Sequence, residues 1–332
     1  MSRVWGERSR RVGRERRGTR QLTRLGLGLA ALGRPGYVNL GHGADLGRDY
    51  DEQLMERRCH AVLDAAWAGG VRYIDVARSY GRAEAFLASW LERSGRRADE
   101  LTVGSKWGYT YTAGWSVTAE HHEVKDHSLA TLTRQLGESR ALLGHHLDLY
   151  QVHSATLESG VLDDDEVLDA LALVRDQGLA VGLTTSGPDQ AVVVRQALET
   201  KRGGETLFAS VQSTWNLLEP SAGPALADAH GAGLLVIVKE ALANGRLTER
   251  NAELPPRLGT DASTVALAAA VAQPWADVVL SGAATVAQLT ANLAAVSGVG
   301  PAGVAGVELN EGTDWAETPE VYWSKRRALP WN

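Results

Sequence analysis

The sequence has 332 residues, of which 44% are apolar and 22% charged, and its formal net charge at pH 7 is −6. This length and composition fit one large α/β domain, and the negative charge gives no general attraction to nucleic acid. The single cysteine, Cys59, has no partner for an intramolecular disulfide and is typical of the reducing cytoplasm. Because no apolar run approaches the roughly 20 residues of a membrane span, we expect no membrane segment.

The first residues form a strongly basic segment, since residues 3–24 hold nine arginines and two glutamates. Ser9-Arg10-Arg11 before a short apolar stretch raises the alternative of a twin-arginine export signal. That stretch, residues 25–32, is short and is needed as the first strand of the domain, so we favour a basic arm over a signal. We therefore predict that residues 1–20 form an arm too rich in like charges to pack, and that residues 21–332 form a single domain.

Strand-like and helix-like segments alternate through the first half of this domain. Predicted strands cover residues 25–32, 71–77, 101–107 and 147–153, and predicted helices cover residues 52–68, 82 to about 95, and a stretch from about 128. The connection at residues 108–126 is longer than most loops between a strand and its helix. Loops of that length are often functional.

The second half continues the alternation. Predicted strands cover residues 179–185, 209–216, 234–239 and 278–281, and predicted helices begin after residues 163–165, at Pro188, near Ser221, at Asp261 and at Thr285. A doubly wound sheet would also alternate, but Gly26, Gly28 and Gly33 are spaced wrongly for its glycine-rich fingerprint. The eightfold alternation therefore predicts an α/β fold, a (β/α)8 TIM barrel, with the C-terminal tail over its active face.

Four chemically reactive residues lie at or near the ends of three successive predicted strands. Asp75 and Tyr80 follow the second strand, Lys106 ends the third, and His153 ends the fourth. Because TIM-barrel sites are built at the carboxyl ends of the strands, these four side chains should meet. A lysine lowers the pKa of a nearby tyrosine, and a carboxylate keeps that lysine charged. The set therefore predicts a tyrosine that donates a proton, although a purely structural buried Asp–Lys pair is an alternative.

The strings IDVARSYG, SKWG and DLYQVHS resemble the strand-end motifs of the aldo-keto reductases, in the order of that family. The resemblance runs from about Leu25 to the C-terminal tail. It implies an NAD(P)H-dependent oxidoreductase that reduces a small aldehyde or ketone to an alcohol, or catalyses the reverse. It also implies that Tyr80 is the general acid, that Lys106 and Asp75 support it, and that His153 orients the carbonyl.

The same resemblance implies a set of cofactor-binding residues. Thr184 and Thr185 stand where the family has a Ser-Asn pair, Gln212 is suited to the carboxamide, and Trp215 to stacking on the nicotinamide ring. The string KEALANGRL resembles the pyrophosphate loop, although Lys239 and Glu240 replace its usual Tyr and Ser. The remaining expected contacts are Gly28, Leu29, Ala241, Leu242, Asn244, Ser281, Gly282, Thr285, Gln288 and Asn292.

The string SGAATVAQLTAN departs from the family at the site that holds the 2′-phosphate of NADP(H). Ala284 and Gln288 stand at positions where related sequences often carry arginine, whereas Asn292 is kept and is suited to the adenine. A phosphate that faces no cation loses charge-assisted hydrogen bonds. We therefore expect NADP(H) to be used with NAD(H) as a competitor.

Two other functions are compatible with parts of the sequence. His145, His146 and Asp148 lie close to His153 and raise the alternative of a metal-dependent hydrolase, but their positions on the predicted strand place them apart, so we expect no metal. A non-catalytic nicotinamide-sensing subunit, like the potassium-channel β subunits of the same family, is the second alternative. For an enzyme, Trp107 and Tyr109 would line the substrate pocket.

Overall fold

The computed structural model describes residues 23–251, 262–297 and 315–332 of the chain. Within these residues, eight parallel strands close into a barrel in chain order, since Leu25 of the first strand pairs with Val279 of the last. The (β/α)8 TIM-barrel prediction is confirmed. The strands are β1 (Leu25–Gly28), β2 (Tyr73–Asp75), β3 (Thr102–Trp107), β4 (Leu147–Ala155), β5 (Ala180–Thr185), β6 (Ser210–Thr214), β7 (Leu235–Lys239) and β8 (Val278–Ser281).

A helix follows each strand and packs its apolar face on the barrel. The helices are α1 (Glu52–Ala68), α2 (Ala83–Ser94), α3 (Leu129–Leu143), α4 (Asp165–Asp176), α5 (Gln190–Glu199), α6 (Gly223–Gly231), α7 (Ala262–Ala272) and α8 (Val286–Val296). Side-chain caps fix several starts: Asp51, Ser128, Asp164 and Thr285 each accept a hydrogen bond from a backbone N–H in the first turn. Another helix, α9 (Pro319–Arg327), lies in the C-terminal tail.

Strand β1 ends at Gly28, four residues before the predicted end at residue 32. The chain turns there because the amides of Leu32 and Gly33 both donate to the carbonyl oxygen of Leu29, at 3.1 and 3.0 Å. Gly33 packs directly on the backbone of Tyr80 and on Ala83, where a Cβ atom would have no room. This turn brings the loop after β1 against the loop that carries Tyr80.

The long connection after β3 contains an antiparallel hairpin of Tyr109–Tyr111 with Glu123–Lys125. A second, smaller hairpin joins Lys201–Arg202 to Glu205–Thr206. None of the helices in the described ranges has the length and apolar character required to cross a membrane.

Two predicted helix starts are wrong by two residues. Helix α5 begins at Gln190 rather than at Pro188, because the chain enters it through a turn in which Gln190 N donates to the carbonyl of Gly187. Helix α6 begins at Gly223 rather than near Ser221, with Pro224 in its first turn, where the missing proline N–H costs nothing. The predicted arm at residues 1–20 and the predicted helix start at Asp261 lie outside the described residues.

Candidate active site

Lys106 is the centre of a buried group of side chains at the carboxyl end of the barrel. Its Nζ lies 2.5 Å from Asp75 Oδ2, 2.9 Å from the carbonyl oxygen of Val76 and 3.2 Å from Tyr80 Oη. The side chains of Lys106 and Asp75 are 0% and 3% exposed. Strand pairing sets this geometry, because Asp75 of β2 is in register with Gly104 of β3, two residues before Lys106 and on the same face.

His153 of β4 completes the group, and we refer to Asp75, Tyr80, Lys106 and His153 as the tetrad. The Nε2 atom of His153 lies 3.5 Å from Tyr80 Oη, and its Nδ1 atom lies 3.5 Å from Ser79 Oγ. The ring of Tyr109 packs edge-on against His153, with the centroids 5.0 Å apart. Burial and the nearby cations Lys106 and Arg34 hold the pKa of His153 well below its usual value, so its imidazole is neutral at pH 7.

The electrostatics of Tyr80 differ from the sequence-based expectation that Lys106 lowers its pKa. Burial and the carboxylate of Asp75 hold the pKa of Tyr80 well above its usual value, and Arg34 opposes them. Lys106 does not offset the effect of burial, because its ammonium group is compensated by Asp75 at 2.5 Å. A phenol with a raised pKa is protonated at pH 7 but is a weaker acid than free tyrosine, so proton donation depends on stabilisation of the phenolate as the proton leaves.

Gln212 reaches the tetrad from β6 on the far side of the barrel. Its Nε2 atom donates to Asp75 Oδ1 at 2.8 Å, while the other oxygen of Asp75 accepts from Lys106. Both oxygens of Asp75 are therefore held, and the carboxylate is fixed in orientation. Gln212 thus supports the tetrad as well as lining the cavity in which a carboxamide would bind.

A cavity of about 290 Å³ runs from the tetrad to the end of β8. Most of the residues expected to hold the cofactor line this cavity. They are Gly28, Thr184, Gln212, Ala241, Leu242, Asn244, Ser281, Gly282, Gln288 and Asn292.

Two tryptophans that the sequence placed in the site lie elsewhere. Trp215 packs edge-on against Trp275, with the ring centroids 5.8 Å apart, and does not line the cavity. Trp107 is fully buried and packs against His127. The alternation of side chains explains both positions, because Lys106 and Thr214 point toward the site and the residue after each one points away. These expectations for Trp107 and Trp215 are corrected.

Three further expected contacts have structural roles. Leu29 is fully buried in the core, and Thr185 is buried with its hydroxyl 2.8 Å from Ser213 Oγ. Thr285 caps α8, since its Oγ1 accepts from Gln288 N at 3.2 Å. None of these three side chains is among the residues that line the cavity.

The donors and acceptors along the cavity fit a dinucleotide. Asn244, after β7, has a left-handed backbone with φ 56°, and its side-chain Nδ2 donates to Val38 O. Among the described residues its Oδ1 atom has no hydrogen-bond partner, although it is buried and belongs to a cavity-lining residue. Such a buried acceptor needs a partner. Near the end of β8, Asn292 Nδ2 donates to Ser281 Oγ at 2.9 Å, and both residues line the cavity.

Several charged residues at the site were missed by sequence reasoning. Arg34, directly after the first predicted strand, lies within the site, and its position at a strand end was a signal that could have found it. Arg326 of α9 pairs with Glu240 after β7, with Nη2 2.6 Å from Oε1. No local signal joins residues so distant in sequence. Arg326 and Lys239 lower the pKa of Glu240 to about 2, and burial lowers that of Lys239 to about 8.

The chain is similar to several known proteins. The model of the aldo/keto reductase family matches residues 24–299. The uncharacterized oxidoreductase YrpG of Bacillus subtilis (strain 168) is 23% identical over 286 residues, which cover 76% of this chain and 85% of YrpG.

Two solved structures share the fold. A putative aldo-keto reductase from Pseudomonas aeruginosa has a TM-score of 0.60 at 24% identity, over 83% of this chain and 90% of that chain. An aldo-keto reductase from Bacillus halodurans, solved in a holo form, has a TM-score of 0.61 at 21% identity, over 92% of each chain.

A closed barrel with an Asp–Lys pair, a tyrosine and a histidine at its carboxyl face defines a class of barrel oxidoreductases. Because the family model matches most of the chain, the protein belongs to the aldo/keto reductase family. It is an NAD(P)-dependent oxidoreductase, and carbonyl reduction with NAD(P)H is the general activity of that family.

Proposed function

We propose that the protein reduces a small aldehyde or ketone to the alcohol, or oxidises the alcohol, with Tyr80 as the general acid. The observation that carries this proposal is the position of Lys106 Nζ, which lies within hydrogen-bonding distance of both Asp75 Oδ2 and Tyr80 Oη. A lysine in that position stabilises the phenolate that forms as the proton leaves. His153 is neutral and its Nε2 atom lies 3.5 Å from the same phenol oxygen, so one oxygen atom at the side of this pair could accept hydrogen bonds from both.

The substrate carbonyl oxygen would lie between Tyr80 Oη and His153 Nε2. When bound, the reduced nicotinamide supplies the hydride to the carbonyl carbon. Tyr80 donates its proton to the carbonyl oxygen, and Lys106 compensates the negative charge that this leaves on the phenol. His153 orients the oxygen by donating from Nε2, in the tautomer where the hydroxyl of Ser79 donates to Nδ1.

We further propose that the protein uses NADP(H) with NAD(H) as an effective competitor. Ala284 offers no charge, and its amide donates to Gln288 Oε1 at 2.9 Å. Arg250 lines the same end of the cavity, but its guanidinium is paired with both oxygens of Asp45, at 2.7 and 2.5 Å. The neighbouring Glu249 also lines the cavity and adds negative charge. A 2′-phosphate would therefore gain little net attraction.

A panel of aldehydes and ketones tests the proposal, with purified protein and the loss of reduced-nicotinamide absorbance as the readout. Binding of NADPH and NADH is measured separately by quenching of tryptophan fluorescence. We expect turnover with both cofactors. Tight cofactor binding without turnover of any carbonyl or alcohol would instead identify a non-catalytic nicotinamide-sensing subunit.

A further inference from the structure

Arg34 is a buried cation in the wall of the cavity, and the chemistry described so far does not use it. Its side chain is only 3% exposed. The Nη1 atom donates to the carbonyl oxygen of Ser79 at 3.0 Å and to Glu123 Oε2 at 2.8 Å. Among the residues that the structure describes, neither Nε nor Nη2 has a hydrogen-bond partner. Nε is shielded from solvent whereas Nη2 is not, so Nη2 is the donor that a ligand can reach.

Three aromatic rings hold this guanidinium in place. Its Cζ atom lies 5.3 Å from the ring centroids of Tyr37 and Tyr80, and 4.8 Å from that of Trp331. Trp331 is itself stacked on His122, with the centroids 4.1 Å apart. A planar group fixed in this way is ready to bind a ligand with little loss of side-chain entropy. Because Tyr80 is the proposed proton donor, this contact also places the guanidinium near the point where the substrate carbonyl would bind.

The charged residues that line the cavity or support the tetrad balance one another. Among the described residues, four cations have a close carboxylate partner, and these pairs are Arg34 with Glu123, Lys106 with Asp75, Arg326 with Glu240, and Arg250 with Asp45. Lys239 is a fifth cation and lies 3.8 Å from the already paired Glu240, and Glu249 is a fifth carboxylate that lines the cavity. The preference for an anionic ligand therefore rests on the position of Arg34 against Tyr80, not on net charge.

We infer that the substrate is an aldehyde or ketone that carries a carboxylate, and that the Nη2 atom of Arg34 binds this carboxylate. The inference rests on the proposed function and names its substrate class. The N–H groups of Nη2 are charged donors, which suit a carboxylate oxygen. A carboxylate also suits the site better than a phosphate dianion, because Glu123 lies 2.8 Å from the same guanidinium and would repel the larger charge.

Matched substrates test the inference. The three isomeric carboxybenzaldehydes are compared with their methyl esters, which keep the ring and the aldehyde but lose the charge. For at least one isomer, wild-type kcat/KM for the acid should exceed that for the ester by about tenfold or more, as expected for one charge-assisted hydrogen bond. Equal rates for all three pairs would overturn the inference.

Replacing Arg34 and replacing Glu123 should change the acid-to-ester ratio of kcat/KM in opposite directions. Arg34→Gln should lower the acid-to-ester ratio of kcat/KM by about 10–100-fold, since it removes the charged donor. Arg34→Lys keeps the charge but loses the planar edge, and should restore only part of the ratio. Glu123→Gln removes the competing carboxylate and should raise the ratio, through a lower KM for the acid. An unchanged ratio in both Arg34→Gln and Glu123→Gln contradicts the assignment.

A binding measurement separates this inference from the proposed reaction. Benzoate and benzamide are titrated into the cofactor-loaded protein, with the melting temperature as readout. Benzoate should stabilise wild type more than benzamide does, and Arg34→Gln should abolish the difference. If no carbonyl compound is turned over but benzoate binds through Arg34, the proposed reaction fails and the anion site stands. If esters are reduced and benzoate does not bind, the reaction stands and the anion site fails.

Discussion

The ammonium group of Lys106 has three N–H donors, and each has a partner: Asp75, the carbonyl oxygen of Val76, and Tyr80. Only the charged form can make all three bonds. Burial lowers the pKa of Lys106 and Asp75 opposes that effect, so the charged form depends on the carboxylate. At the scale of residues, the tetrad is thus an arrangement in which Asp75 keeps Lys106 charged and Lys106 faces the phenol of Tyr80.

Replacement of Tyr80 by phenylalanine should remove most of the turnover and leave the affinity for NADPH nearly unchanged. The phenol acts only in the transition state, and general acid catalysis contributes roughly 10²–10⁴-fold. Steady-state kinetics and cofactor titration measure the two quantities. Tyr111→Phe is the matched control, because it removes the hydroxyl of a tyrosine that is not among the residues lining the cavity. Wild-type turnover in Tyr80→Phe would disprove the role of the phenol.

Replacement of Ala284 by arginine should shift cofactor preference toward NADP(H). A new charge-assisted contact to the 2′-phosphate would change the NADPH-to-NADH ratio of kcat/KM by roughly 10–100-fold. The wild-type ratio itself should be modest. A wild-type ratio above about 10³, some 4 kcal/mol, would mean that a cation elsewhere already binds the phosphate. Val286→Arg, two residues further on at the start of α8 and with an exposed side chain, is a control for added charge.

At the scale of elements, α9 is joined to the barrel by a buried ion pair. Arg326 lies on this helix and makes Nε and Nη2 contacts of 2.6–3.0 Å to both oxygens of Glu240. Tyr322 of the same helix accepts a hydrogen bond from Asn216 at 3.0 Å. Because Glu240 and Arg326 both line the cavity, the attachment of α9 and the shape of the site are linked.

Breaking this pair should change both stability and its dependence on pH. The pKa of Glu240 is about 2 in the folded protein and 4.5 by reference. Because the pKa of Glu240 is lower in the folded protein, its ion pair stabilises the fold fully above pH 4.5. This contribution to the free energy of unfolding is lost as the pH falls toward 2. Arg326→Gln removes the closest cation from Glu240 and leaves Lys239 at 3.8 Å as a weaker partner, so at pH 7 it should lower the free energy of unfolding by less than the roughly 3–5 kcal/mol typical of a fully buried pair.

Adding Glu240→Gln to Arg326→Gln should recover part of that stability, because the carboxylate that lost Arg326 is then replaced by a neutral amide. We would measure urea unfolding at pH 7, 5 and 3 for wild type, both single variants and the double variant. Together these four proteins form a double-mutant cycle. The difference in the free energy of unfolding between wild type and Arg326→Gln should become smaller below pH 4.5. Curves that stay parallel across this range would show that Glu240 is not the titrating group.

At the scale of the molecule, the sequence is sufficient to predict the barrel and the tetrad. Strand alternation and the caps at Asp51, Ser128 and Thr285 are local signals, and the tetrad follows from residue types at strand ends. Contacts made across the barrel are not local. The pair of Arg34 with Glu123 spans 89 positions, so no periodicity predicts it.

The misplaced tryptophans have a different physical origin. The side of a strand that a residue faces depends on the register of the whole barrel, and a shift by one residue reverses it. Trp215 directly follows Thr214, which faces Lys239, and so it packs outward against Trp275. The resemblance to the family placed Trp215 at the correct strand end but did not indicate which face of the strand its side chain occupies.

Deletion of residues 1–20 should leave the melting temperature and turnover unchanged, because that segment is too highly charged to pack. The deletion has to end before Thr23 and Arg24, because both residues make contacts at the start of β1. Arg24 Nη1 donates to the carbonyl oxygen of Val271 at 2.8 Å, and Thr23 Oγ1 accepts from Leu25 N at 3.1 Å. A deletion of residues 1–24 is therefore the control and should lower the melting temperature. Loss of folded protein in the shorter deletion would contradict the prediction.

The pairing of Leu25 in β1 with Val279 in β8 also has a consequence for synthesis on the ribosome. One edge of β1 cannot pair until β8 has emerged, about 250 residues later. At roughly 5–20 residues per second, this delay is about 10–50 s. During that time the nascent chain exposes an apolar strand edge that is open to pairing with other chains. Slower translation or a lack of chaperones should therefore increase aggregation of this barrel during synthesis, even when the finished protein is stable.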